Sequence, residues 1–138
     1  MSTTISLLTN VMSKVSSPIK TAEDLLKAYR AGQRNFANIS LVSADLTGVD
    51  LKGADLSYAD FSEANLSQSS LRGTDLSYAR LCEANLTEAD LRGAMLIGTD
   101  LREAVVEKAQ FQAADYDPDE THFPKGFDPK AAEMRADR

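Results

Sequence analysis

No tryptophan, one cysteine (Cys82) and one histidine (His122) occur in the 138 residues, and no apolar run reaches the roughly 18 residues that a membrane-spanning helix needs. A single thiol excludes an intramolecular disulfide, and one Cys with one His is too few soft ligands for a zinc site. The chain therefore fits a reducing cytoplasm, and no metal or other cofactor is expected. The start, MSTTISLLTNVMSKV, has no basic n-region, and Ser, Thr and Asn interrupt its apolar stretches before an h-region forms, so secretion is not expected. Positive charge is also short. With 15 Lys and Arg against 21 Asp and Glu, the formal net charge of -6 argues against a direct nucleic-acid binder. What remains, 43% hydrophobic and 26% charged, suffices for the core of one domain.

The middle of the chain repeats every five residues. From Phe36 to Phe111 in steps of five, all 16 positions are apolar, with 12 Leu, three Phe and Val106. At this composition such a run arises by chance about once in a million registers. Two residues before each centre stands Ala, Ser or Thr in 13 of 16 cases, Ala54, Ala59, Ala64, Thr74 and Ala84 among them. A period of five matches neither the helix's 3.6 nor the strand's 2, so each unit must contain a corner. Four corners close a square in 20 residues, and stacked squares can bond backbone to backbone as neighbouring strands do. Large side chains then fill the middle, with Leu56, Leu66, Leu71, Leu76, Leu86, Leu91 and Leu96 in the structural core. Leu56, Leu76 and Leu96 share one inner face.

The units ADLTG, ADLSY, ADFSE, ANLSQ, TDLSY, ANLTE and ADLRG resemble those of the pentapeptide-repeat family. That resemblance implies an all-β solenoid, a right-handed quadrilateral β-helix of about four coils over residues 34–113. The flanks LLKAYRAGQRNF and FPKGFDP also look like those of small cyanobacterial members. Arg34, Ile39 and Val49 are too bulky or charged for the small position, so the first coil is expected to be irregular. A core of stacked Leu leaves no room for an enclosed active site.

An open rod end exposes unpaired backbone, and the flanks read as caps. Thr21 with Asp24 forms a capping box, Leu25, Leu26 and Tyr29 supply apolar contacts, and Gly32 is a helix stop, which predicts a capping helix over 22–31 within residues 21–33. Residues 114–138 form a C-terminal capping segment in which Phe123 and Phe127 cover the last coil and Asp128-Pro129 starts a short helix over 129–136. Residues 1–20 read as a flexible tail. Its Ile5, Leu8, Met12 and Val15 recur at near-helical spacing that would suit a partner or membrane surface, but Lys14 and Lys20 are its only charges, and no membrane contact is expected.

No catalytic constellation is present, so catalytic, metal and cofactor residues are none and the chain is read as a non-enzymatic module. Asp115, Asp117 and Asp119 have the spacing of the first three ligands of a calcium loop, but Glu120 stands where Gly is required and Gly126 where a bidentate Glu is required. Cys82 reads as a Ser-like spacer, matching Ser62 and Arg102 in neighbouring coils.

Function is therefore sought on the outer faces, where residues 20 apart stack about 4.8 Å from one another. Segments 51–70 and 71–90 agree at 11 of 20 positions. Lys52, Arg72 and Arg92 form a basic column read as a salt-bridged ladder with the neighbouring Asp residues. Glu63, Glu83 and Glu103 form an acidic column, relieved in part by Arg80, Arg102 and Lys108, and Tyr58 and Tyr78 stack on the preceding edge. These two tyrosines and three glutamates are the candidate interaction face for an unknown protein partner, the tyrosines serving either as anchors or as a cover for the corner. The expected function is a rigid protein–protein interaction scaffold, monomeric or weakly homodimeric through the rod ends. The alternative rests on the resemblance, since some members of that family mimic duplex DNA and bind type II topoisomerases.

Overall fold

Each five-residue unit is closed by a turn whose third residue has a positive φ. In the turn from Leu56 to Ala59 the Ala59 N–H donates to the Leu56 carbonyl at 3.2 Å, and Tyr58 takes φ 60°. The positive φ recurs at every fifth residue from Asn38 to Ala113, with Gly48, Gly53, Gly73, Gly93 and Gly98 at five of these positions. Such turns require a left-handed residue, which glycine supplies without steric cost. The chain therefore bends once per unit and returns above its starting point after 20 residues. Parallel bridges run from Asn35↔Asp55 through Met95↔Asp115 at that spacing. The computed structural model, which describes residues 18–137, is thus a right-handed quadrilateral β-helix.

The five N–H groups of a unit can be followed individually. In the second coil, Leu56 N–H donates to Asp75 O at 2.8 Å and Tyr58 N–H to Ser77 O at 2.9 Å, both in the next coil. Asp60 N–H reaches back to Ile39 O at 2.9 Å, and Ala59 N–H closes the turn. The fifth, Ser57 N–H, is held by the Asp55 carboxylate at 3.0 Å. The Asp or Asn before each large residue is therefore a structural cap, and its chemistry explains the D/N-L-S/T pattern.

Inside, the seven core leucines identified by the period are at most 1% exposed, and the small residues from Ala54 to Ala104 are buried between corners. The first coil departs from expectation: its backbone is regular, with Phe36 N–H bonded to Asp55 O at 2.7 Å and Asn38 N–H to Ser57 O at 2.9 Å. Its bulky small-position residues are tolerated because no coil lies beneath them. Arg34 turns out of the rod, donates to the Tyr29 and Gln33 carbonyls, and stacks its guanidinium 3.7 Å from the Tyr29 ring centroid.

Helix α1 (Ala22–Arg30) seats Leu25, fully buried, against that coil, and Tyr29 donates its hydroxyl to Lys52 O at 2.8 Å. The capping box is formed: Asp24 N–H donates to Thr21 Oγ1 at 3.1 Å and Thr21 N–H to Asp24 Oδ2 at 3.2 Å. Gly32, at φ 101°, ends the helix, and the Gly32 and Gln33 amides close onto Tyr29 O and Ala28 O. The tail reading of residues 1–20, with its Ile5, Leu8, Met12 and Val15 stripe, falls outside the described residues apart from 18–20.

At the other end the ladder continues past residue 113. Asp100 pairs with His122 after a two-residue expansion of the period, and strand β1 (Asp115–Tyr116) pairs in parallel with strand β2 (Arg135–Ala136). The short helix expected over 129–136 does not form. Residues 129–133 are turns, Glu133 adopts φ 60°, and the chain returns as β2. Eight residues nucleate a helix poorly, whereas extending them satisfies the otherwise open edge: Arg135 N–H donates to Ala114 O at 2.8 Å and Asp137 N–H to Tyr116 O at 2.7 Å. Phe123 and Phe127 do cover the end, stacked at 4.9 Å and meeting Tyr116 and Phe111 edge-on at 5.6 and 5.0 Å.

Candidate interaction face

Tyr58 and Tyr78 occupy the left-handed position of successive turns at one corner, and Glu63, Glu83 and Glu103 the same position at the next corner. Both columns flank one face, whose outward residues are Asp60, Arg80 and Asp100, bridged in that order. The sequence-identified residues are thus brought to the two edges of a single face, with a charged strip between them.

The tyrosine rings stack at 5.3 Å with planes 15° apart. Tyr78 leans over Gly98, where a Cβ would collide with ring carbons Cδ1 and Cε1. Its hydroxyl donates to Glu120 Oε2 at 2.8 Å, and that carboxylate pushes the phenol above its ordinary range. Tyr78 is therefore a cover for the corner. Tyr58 has the stack alone and is 59% exposed, against 43% for Tyr78. Gly98 was not among the residues that the sequence pointed to, and Glu120 was named only as a mismatch to a calcium loop, not as a partner of Tyr78. A glycine 20 residues after a tyrosine in the turn column was the signal for the first; Glu120 lies on the expanded loop, where the period no longer assigns a neighbour.

Much of the negative charge on the rod is engaged. Asp45, Asp50, Asp55, Asp60, Asp75, Asp90 and Asp100 each accept from the N–H two residues on. The Ser62 hydroxyl at 2.6 Å holds the Asp60 carboxyl below the usual carboxylate range, and Thr47 does the same for Asp45. Arg92 and Arg102 each form a two-pronged pair with their own Asp, at 2.7 Å to Asp90 and 2.6 Å to Asp100. Arg102 was expected to relieve the glutamate column; its guanidinium is held by Asp100. The basic column is paired within its own turns, Lys52 to Asp50 at 3.6 Å and Arg92 to Asp90, rather than across the corner to Asp55 or Asp75. Arg72 follows Ser70 instead of an Asp, and its field contributes to lowering Asp90.

Cys82 is half-buried, and burial together with the Asp100 carboxylate pushes its thiol up, away from the thiolate. The DYDPDE carboxylates serve the expanded loop: Asp117 Oδ1 accepts from Asp119 N–H at 2.8 Å, and Glu120 binds Tyr78. Thr121, buried, bonds Leu96 O at 2.7 Å and accepts from Asp117 N–H at 2.9 Å, fixing that loop to the rod.

The family model for pentapeptide repeats matches residues 35–68 and 69–107, in eight copies. This chain belongs to the pentapeptide-repeat family. Among solved pentapeptide-repeat structures, the protein alr5209 from Nostoc Pcc 7120 is 48% identical, with a TM-score of 0.86 over 88% of this chain and 100% of that one. A pentapeptide-repeat protein from the Arabidopsis thaliana thylakoid lumen is 37% identical, with a TM-score of 0.52 over 53% of this chain and 50% of that one. No curated protein sequence matches.

Proposed function

We propose that this pentapeptide-repeat protein is a non-enzymatic, cytoplasmic scaffold that presents the face between the tyrosine and glutamate corners to a protein partner. The observation that carries this reading is Tyr58. A large aromatic is held in the left-handed region at a cost of about 1–2 kcal/mol, where the same corner has Gly98 two coils on. It is 59% exposed, and its ring gains one stacking contact. Exposed aromatics on a rigid support lose little entropy on binding and are favoured anchors. The charge pattern supports a scaffold over a DNA mimic. Seven of the 12 carboxylates in residues 34–113 are Asp residues capping turns, and two of these are neutralised by Arg at close range. Duplex DNA would present about 11 charges over a similar height.

The test is a partner-binding assay with Tyr58→Ser and Tyr78→Ser at low and high salt, beside a topoisomerase supercoiling assay. A scaffold loses binding in the tyrosine variants at both salt concentrations and leaves supercoiling untouched. Inhibition of supercoiling that is relieved by salt and by Glu→Gln changes at 63, 83 and 103, and is insensitive to the tyrosine variants, overturns the reading.

A further inference from the structure

We infer that the open face of Tyr58 receives an arginine guanidinium from a basic segment of the partner protein. The inference rests on the scaffold reading and specifies the chemistry that the partner brings.

The ring column is closed at one end and open at the other. At its C-terminal end Tyr78 fills the space above Gly98 and is tied to Glu120. At its N-terminal end Tyr58 lies against Tyr78 on one side, while the corresponding position one coil earlier is Asn38, which has no ring. A stack that ends on an exposed ring accepts one more planar group a single step of about 4.8 Å further along.

Charge decides which planar group. The rod is acidic throughout, with 12 acidic against seven basic residues in 34–113, and one of the basic residues, Lys52, is held by Asp50. Tyr58 stands between two of those carboxylates, with Arg80 one coil on from Asp60. Asp55 lies on the face before its corner and Asp60 on the face after it. Each commits Oδ1 to the following serine, and Oδ2 of each has no hydrogen bond among the described residues. A neutral aromatic on Tyr58 would strip water from these carboxylates without replacing its hydrogen bonds. A guanidinium stacks on a ring face and directs its donors edgewise to carboxylates, and it sheds water more readily than an ammonium. The molecule already makes this contact internally, with Arg34 over Tyr29 at 3.7 Å.

The experiment uses the full chain and three hexapeptides that alternate glycine with Arg, with Lys or with Glu, followed by backbone amide shifts and titration at physiological salt. The expected result is a shift map centred on Tyr58, Asp55 and Asp60, and an Arg peptide that binds about two- to fivefold tighter than the Lys peptide. Tyr58→Ser should remove that preference, and Tyr58→Phe should keep it. Equal binding of Arg and Lys peptides, shifts mapping elsewhere, or no shifts at millimolar peptide overturns the inference. If that happens while a captured protein partner still loses binding on Tyr58→Ser, the arginine assignment falls and the scaffold reading stands; if the partner is indifferent to both tyrosines, both fall.

Discussion

A left-handed residue at every corner makes the third position of each turn the most informative place to substitute. Gly53 and Gly98 have nearly the same φ, 72° and 68°, but a Cβ at Gly53 meets open space while one at Gly98 meets the Tyr78 ring. Gly53→Ala should cost about 1–2 kcal/mol, the left-handed penalty alone, and Gly98→Ala should cost more. In a Tyr78→Ser background the two glycine variants should become equal, which urea unfolding measures as a coupling energy between positions 78 and 98. Equal costs in the parent background would mean that Tyr78 does not cover the corner. Asp60 tests the turn caps. Its carboxylate is held below the usual range by the Ser62 hydroxyl. The stability this contributes is therefore present above the unfolded value of about 4 and is lost as pH falls through the lower folded value. Asp60→Asn keeps the acceptor and should flatten that acid limb, whereas Asp60→Ala should cost about 1–2 kcal/mol at neutral pH through two lost hydrogen bonds.

At the scale of elements, the coil is held by a core one side chain deep, in which Leu76 is fully buried and stacked between Leu56 and Leu96. Leu76→Asp should abolish folding, since an unpaired carboxylate would enter a dry interior shared by three coils. A circular dichroism melt matching the parent would show the register to be wrong. This register was legible in the sequence because one large residue in five points inward without exception from Phe36 to Leu101. Helix α1 was equally legible, since a capping box and a glycine stop act locally. The C-terminal segment was not. Ala131 to Arg135 carries good helix formers, but it returns as β2 because the unpaired edge of β1 lies within reach and tertiary pairing outweighs a weak local preference. The candidate face was half legible: the period placed both columns on adjacent corners, but whether a given tyrosine covers or protrudes depended on Gly98 and Glu120.

For the whole molecule, the coil-to-coil hydrogen bonds run along one axis, from an N–H to the carbonyl 19 positions on or 21 positions back, and so bridge residues 20 apart. A rod loaded by its two ends along that axis bears force on these bonds one coil at a time, because each coil touches only the coils beside it. Extension should therefore proceed in discrete yields. Each would release 20 residues of chain, about 70 Å when taut, less the roughly 5 Å of rod height it replaces. Single-molecule pulling through the termini should show evenly spaced steps of about 65 Å at modest force. A single rupture of the entire contour would mean that the coils are mechanically one body. The same arrangement makes the rod a graded spring, able to give up one loop of length while the loops beyond it, and the tyrosines they carry, keep their spacing.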